Sequence, residues 1–326
     1  TTNHQWILFF TNMGRVYRTK VWQLPEASRD ARGGHVAGLL SFLPEEHITR
    51  VMTLRSYDDA KYLLLATRAG LVKKTQLTAY DSSRQAGVIA INFRTDDDEL
   101  IGAELCGPDD DVLLISRKGQ AIRFGADDEQ LRPMGRATSG VTGMKFRGDD
   151  ELLSMSVIEV GTDEDERFVF TATDGGYAKR TLVSEYRRQG RGGLGIKAMA
   201  LSEDRGSLVG GLVVQEADEV IAIRTSGQLT RSAVAEVPVK GRSTMGVKFV
   251  NVRGKDAVSI IALNPEHEEP DDPQPSHDEV RGTTQGGESE ARDGASDEDA
   301  STDEDTAGTV VSDEASDDAG EHGEQA

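Results

Sequence analysis

Cysteine is nearly missing from this chain: Cys106 is the only one among 326 residues. A lone thiol cannot close an internal disulfide or build a zinc cluster, so a secreted, oxidised fold is unsupported and a cytoplasmic location is expected. Long apolar runs are lacking too. Stretches such as residues 62–66 have strand length, far short of the roughly 20 residues that span a bilayer, so no membrane association is expected. No signal peptide is recognisable. The chain begins at Thr1 rather than Met, with residues 6–10 already strand-like, and reads as a piece of a longer protein. Aromatics make up 5% of residues, which argues against the stacking platforms of single-strand and RNA binders. Helical periodicity is almost absent, and the six histidines (His4, His35, His47, His267, His277, His322) are scattered, so neither metal nor cofactor is expected in this stretch.

Acidic charge is plentiful but confined. The formal net charge is −20, and residues 265–326 alone hold 22 acidic and 2 basic residues. Residues 1–264 hold 35 of each and are neutral. Within the terminal stretch, residues 296–318 are mostly Ser, Asp, Glu, Ala, Thr and Gly, with no aromatic. It cannot bury enough apolar surface to offset its ordering entropy, so a disordered acidic tail is expected over 265–326. It reads as a solubilising linker, or as a DNA mimic that competes for a basic surface.

Within residues 1–264 one segment recurs five times, at 7–20, 62–75, 112–124, 168–181 and 220–232. Each copy is an apolar strand, a turn with one fixed glycine, and a strand ending in basic residues. The glycines are Gly14, Gly70, Gly119, Gly176 and Gly227, where a tight hairpin needs positive φ. A further strand stands before most hairpins, at 48–54, 100–105, 152–158 and 208–214, and once more at 257–263. Read as the first strand of each unit, it divides the chain into repeats of about 1–47, 48–98, 99–150, 151–206 and 207–264, entered partway through a unit. A Gly-Arg-x-x-x-Gly-Val/Ile pattern follows the third, fourth and fifth hairpins at 135–141, 190–196 and 241–247. Repeats of about fifty residues with several short strands predict an all-β, propeller-like array of four-stranded blades.

Four residues after each fixed glycine stands a cation: Arg18, Lys74, Arg123, Arg180 and Arg231. Lys73 and Lys179 precede two of them, and Lys20 lies just beyond the first. The Gly-Arg loops add Arg136, Arg191 and Arg242, with Arg187, Arg188 and Lys197 around the middle one. Equivalent positions in a radial array fall at equivalent places on successive blades, so these side chains are expected to form a basic stripe around a neutral body. The bland alternative is charged strand ends that discourage edge pairing. A repeated register favours a polyanion along the periphery, and stiff duplex DNA fits because bending it requires many phosphate contacts.

These motifs resemble the C-terminal, DNA-wrapping domain of the DNA gyrase A subunit over most of residues 1–264. Gln189-Gly190-Arg191-Gly192-Gly193-Leu194-Gly195 is similar to that family's glycine/arginine box, with Gly190 and Leu194 standing where the family has basic residues. Residues 10–17, 131–136 and 175–180 are also typical of it, and a box-like motif in the fourth repeat resembles the actinobacterial variety. The resemblance implies a β-pinwheel, six-bladed in the family, against five hairpins here. It implies double-stranded DNA as partner, the remainder of the gyrase A subunit upstream, and the gyrase B subunit in an A2B2 holoenzyme. It implies negative supercoiling by an ATP-dependent type II topoisomerase, whose cleaving tyrosine, ATP and Mg2+ sit in other domains or subunits. A propeller used as a protein-interaction scaffold and the C-terminal domain of the topoisomerase IV A subunit remain as alternatives.

Other signals carry less. Residues 190–195 match Gly-x-Gly-x-x-Gly, but a dinucleotide site needs a strand before it and a helix after it. Tyr17, Tyr177 and Tyr186 read as packing residues rather than nucleophiles. Trp6 and Trp22 are expected to pack within the first unit.

Overall fold

A computed structural model of the chain describes residues 2–264 apart from Arg29, Gln85 and Thr162. The expected acidic tail at 265–326 lies outside the described residues. Among those residues there are nineteen strands and only short 3-10 turns besides. In chain order the strands are β1 (Trp6–Thr11), β2 (Arg15–Lys20), β3 (Ile48–Leu54), β4 (Tyr62–Thr67), β5 (Leu71–Gln76), β6 (Val88–Ile89), β7 (Leu100–Cys106), β8 (Asp111–Ser116), β9 (Gln120–Gly125) and β10 (Val141–Thr142). They continue with β11 (Leu152–Ile158), β12 (Arg167–Thr173), β13 (Tyr177–Leu182), β14 (Ile196–Lys197), β15 (Leu208–Gln215), β16 (Glu219–Arg224), β17 (Leu229–Ala233), β18 (Val247–Lys248) and β19 (Val258–Asn264).

Five antiparallel sheets result: β3-β1-β2-β6, β7-β4-β5-β10, β11-β8-β9-β14, β15-β12-β13-β18 and the three-stranded β19-β16-β17. The five expected hairpins form the middle of each sheet. All five fixed glycines adopt positive φ, between 68° and 82°. The strands β3, β7, β11, β15 and β19 stand next to one another in that order, so they form the inner edge of a propeller-like fan. The first hairpin strand lies between its partner and this inner strand. In β4 and β8 every residue is consequently buried, which is why these strands read as unbroken apolar runs rather than alternating ones.

Two features of strand assembly depart from the repeat frame. Each inner strand pairs with the hairpin before it, not the one after: Trp6–Thr11 lies against Ile48–Leu54. The division at 47/48, 98/99, 150/151 and 206/207 therefore cuts through the sheets, and the first hairpin has its own inner strand in Ile48–Leu54. Sequence order alone does not reveal which neighbour a strand pairs with. The outermost strand of each of the first four sheets also comes from the following repeat. Val88 and Ile89, beyond the second hairpin, pair with Val16 and Arg15 of the first, and β10, β14 and β18 do the same for the next three sheets. Each repeat thus clasps its predecessor. The fifth sheet has no such strand among the described residues.

Packing follows this interleaving. One core cluster joins Leu8 and Phe10 of the first sheet to Leu63 and Leu65 of the second and to Ile91 of the clasping segment. Tyr17 and Tyr186 are fully buried and Tyr177 is partly so. Trp6 packs against this first cluster, whereas Trp22 is 59% exposed, contrary to expectation. It sits in the short turn after β2, beyond the part of the strand that pairs with β6.

Candidate nucleic-acid interface

The clasping segment is fixed at two points. At its far end, two successive backbone amides donate to the carbonyl of the fixed turn glycine of the preceding hairpin. Ala90 and Ile91 reach Gly14, Gly143 and Met144 reach Gly70, Ala198 and Met199 reach Gly119, and Phe249 and Val250 reach Gly176. At its near end, Met134, Gln189 and Lys240 donate to the carbonyls of Lys74, Arg123 and Arg180. The segment therefore runs along the outer edge of the hairpin from the basic register to the turn.

This placement overturns the expected stripe. The position four residues after the fixed glycine is covered by the clasp, so its cation turns inward and finds a carboxylate. Arg18 Nη1 meets Asp81 at 2.5 Å and its guanidinium lies over the Trp6 ring. Lys74, with a fully buried side chain, donates to the Ala126 carbonyl at 2.5 Å and meets Asp128 at 2.9 Å. Arg123 is held between Asp111 at 2.6 Å and Glu164 at 2.5 Å. Arg180 meets Glu216 at 2.8 Å and donates to the Val237 carbonyl at 2.7 Å. Arg231 alone keeps an exposed side chain, 62%, with Glu219 at 3.5 Å. It belongs to the fifth sheet, whose outer strand is absent among the described residues. Cover by the next repeat, not the position itself, decides whether the cation faces solvent.

Electrostatics agrees with ion pairing. Burial draws the Arg123 guanidinium down, but the hydrogen bonds it donates to Glu164 and Asp111 and their charges outweigh it, and the net shift is upward. Hydrogen bonds from Lys74 and Arg123 hold Asp128 and Glu164 below the ordinary carboxylate range.

Lys73 and Lys179 are also buried, and they serve as latches. The Lys73 ammonium donates to the carbonyls of Ala90 and Arg136. Lys179 donates to those of Gly241 and Arg242, both at 2.7 Å. With no carboxylate in contact, burial pushes Lys73 down to about 7, helped by the Arg136 charge. Burial likewise lowers Lys179 to about 8.

The arginines of the Gly-Arg loops tie each loop to the outer strand of the blade before it. Arg136 donates to the Ile89 carbonyl at 2.5 Å, Arg191 to that of Thr142 at 3.0 Å, and Arg242 to that of Lys197 at 3.3 Å. In the box-like stretch the backbone joins in: Gly192 donates to Gly143, and Gly193 accepts from Lys145. Gly195 has a φ of 73°, and a Cβ there would stand 2.3 Å from the Ala121 carbonyl oxygen. Gln189 and Gly190 open this stretch, Gln189 bonded through its amide to Arg123, and Leu194 is 38% exposed. The box-like motif is a cross-blade joint here, and Arg191 is partly buried.

Of the sequence-derived candidates, Arg187, Arg188, Lys197 and Arg231 are exposed. Lys20 lies over the Trp6 ring and donates to the His4 carbonyl. Arg188 is held by Asp111 at 2.6 Å. Exposed cations that hairpin-centred reasoning passed over also lie on the clasping segments: Arg84, Arg94, Arg132, Lys145, Arg147, Lys240, Lys248 and Arg253. Aligning the repeats on the second glycine of the Gly-Arg pattern, rather than on the turn glycine, brings them out. Among the described residues no group of side chains is arranged to hold a metal ion, and no helix is long and apolar enough to cross a membrane.

Interleaved antiparallel blades with exposed cations on their outer segments make this a propeller-like module. The family model described as DNA gyrase C-terminal domain, beta-propeller, matches residues 5–53, 61–106, 110–159, 167–215 and 218–264, and the chain belongs to that family. Each match joins a hairpin to the inner strand that follows it, as the sheets do. The DNA gyrase A subunit of Streptomyces coelicolor is 62% identical over 270 residues, covering 82% of this chain and 31% of that protein. The Nocardioides sp. protein of the same name is 58% identical over 293 residues, covering 82% and 32%. The chain thus spans about a third of the length of these relatives. The fold also matches a crystal structure of the C-terminal domain of DNA topoisomerase IV (TM-score 0.73, 23% identity, 81% of this chain and 80% of that one). A structure of a DNA gyrase A C-terminal domain matches with a TM-score of 0.68 at 24% identity, over 81% and 83%.

Proposed function

We propose that this chain is the DNA-wrapping part of a DNA gyrase A subunit. It bends duplex DNA around its outer edge so that a type II topoisomerase can introduce negative supercoils with ATP. The carrying observation is that, on a body of zero formal charge, exposed cations recur on the outermost segments of successive blades. Membership of the gyrase C-terminal family supports the same reading. A patterned basic edge suits a partner bound through phosphates without reading sequence. In this reading the gyrase B subunit, together with the rest of the A subunit in a cytoplasmic A2B2 assembly, supplies strand cleavage, ATP and Mg2+. The high identity to gyrase relatives favours gyrase over topoisomerase IV, whose solved domain is alike in fold at much lower identity.

The test is the affinity of the chain for a duplex of random sequence as a function of salt. Wrapping gives a log–log slope of about −0.9 for each phosphate neutralised. A protein-interaction scaffold gives weak binding with a shallow slope, and that outcome removes the proposal.

A further inference from the structure

Two populations of cations in this module are already engaged. Those of the hairpin register face carboxylates, and those of the Gly-Arg loops donate to backbone carbonyls of the neighbouring blade. A third part of each blade's outer edge remains: the two corners where a clasping segment arrives at the hairpin and where it leaves. At the arriving corner Arg132, Arg187 and Lys240 stand in the second, third and fourth blades. Each is exposed. Each lies within two residues of the amide that bonds Lys74, Arg123 or Arg180. At the leaving corner stand Lys145, Arg147 and Arg253, also exposed. They lie just past the amides that bond the turn glycines Gly70 and Gly176.

Resting on the DNA-wrapping reading, we propose that these two corner rows, and not the hairpin register, hold the duplex, with one row on each side of a groove. The spacing is set by the hairpin. Four residues separate the turn glycine from the register cation, which at about 3.3 Å per residue makes about 13 Å. The major groove is about 12 Å wide. Phosphates on both flanks of a groove are therefore within reach of the second blade and again of the fourth, which carry exposed cations at both corners, while the third adds Arg187 at its arriving corner alone.

Acidic loops bound this track. Inner strands are entered from loops holding Asp96 and Asp97, and Glu203 and Asp204, and left through loops holding Asp58, Asp109 and Asp163, all exposed. Both ends of the inner edge of the fan thus carry carboxylates, and like charge keeps a polyanion off them. The duplex is confined to the outer edge, between the corners.

The experiment compares the full chain with three variants by the salt dependence of duplex binding. One removes the arriving row (Arg132→Gln, Arg187→Gln, Lys240→Gln). A second removes the leaving row (Lys145→Gln, Arg147→Gln, Arg253→Gln). The third, a control, removes two exposed cations that already face carboxylates, Arg117→Gln and Lys118→Gln, which meet Glu151 and Asp149. All these positions are on the surface, so thermal unfolding checks that each variant remains folded. Each row should flatten the slope by about 2.7, at about 0.9 for every phosphate no longer neutralised, and the control should leave it near that of the parent. A steep parent slope that either row variant retains in full overturns the two-row track. A shallow slope in the parent chain instead rejects DNA wrapping itself, so the two failures are distinguishable.

Discussion

The Lys179 ammonium donates to the backbone carbonyl of Arg242 at 2.7 Å, and the same bond joins Lys73 to Arg136 two blades earlier. In both blades the loop is held from beneath by a buried cation while its own arginine reaches back to the preceding blade. The third blade has Ile122 at the equivalent position, and there the tie runs outward-in, from Arg191 to the carbonyls of Gln130 and Thr142. The loop is fixed in each of these three blades, but by a different side chain in the third.

Lys179→Met should therefore destabilise the domain. It keeps the apolar stem and removes a charged donor from two partly buried carbonyls. Hydrogen bonds from charged groups contribute roughly 1.5–3 kcal/mol each, and unpaired buried acceptors cost a similar amount, so a loss of about 2 kcal/mol is expected. Urea unfolding measures it. A variant as stable as the parent would show that the latch contributes nothing.

The same lysines give the domain a pH dependence of definite sign. Burial lowers Lys73 to about 7 and Lys179 to about 8 from the ordinary 10.5. Between those values and 10.5 the unfolded chain binds more protons than the folded one, so stability rises with pH. The gain is complete above the unfolded value and is lost as pH falls through about 8 and then 7. Glu185 opposes the shift at Lys179, and Arg242 and Arg136 reinforce it at the two sites. Melting temperatures of the parent and of the Lys73→Met, Lys179→Met double variant, compared at pH 6.5 and 9.5, read out the effect. The difference should move in favour of the parent at the higher pH; an unchanged difference would reject the assignment.

Asp111 is the pivot of the third blade, with Arg123 on one oxygen and Arg188 on the other. Its side chain and that of Arg123 are both nearly buried. Removing one partner of a buried pair typically costs 3–5 kcal/mol. Glu164 remains to hold Arg123, so Asp111→Asn should cost about 2–3 kcal/mol in urea unfolding. A larger loss for Glu164→Gln, whose carboxylate is partly exposed, would reverse that ranking.

Much of the fold was legible in the residues because hairpins are local. A turn glycine with positive φ and two flanking strands leave their mark within about fourteen positions, and all five recurred where expected. The inner and outer strands were seen as segments, but their partners were not. Pairing Ile48 with Thr11, or Ile89 with Arg15, depends on how repeats interleave, which no single repeat encodes. The binding surface suffered from the same limit. A cation at the end of a strand looks solvent-facing until the following repeat is known to cover it, as Lys74 and Arg180 show. Arg231, uncovered, does face solvent.

The clasp also makes a prediction about two glycines that look alike in sequence. Gly176 and Gly227 are both fixed turn glycines, with φ of 80° and 81°. A Cβ at Gly176 would stand 2.2 Å from the carbonyl oxygen of Val250, the clasping residue whose amide the Gly176 carbonyl holds. A Cβ at Gly227 would meet nothing within 4 Å. Gly227→Ala should therefore cost only the left-handed backbone penalty, about 1–2 kcal/mol. Gly176→Ala carries that penalty and must also push the clasping strand away, breaking the pair of bonds that Phe249 and Val250 make to Gly176. A loss of at least about 3 kcal/mol is expected, at roughly 1 kcal/mol for each hydrogen bond disturbed. Denaturant unfolding of the two variants side by side settles the ranking, and equal losses would mean that the clasp does not bear on the turn.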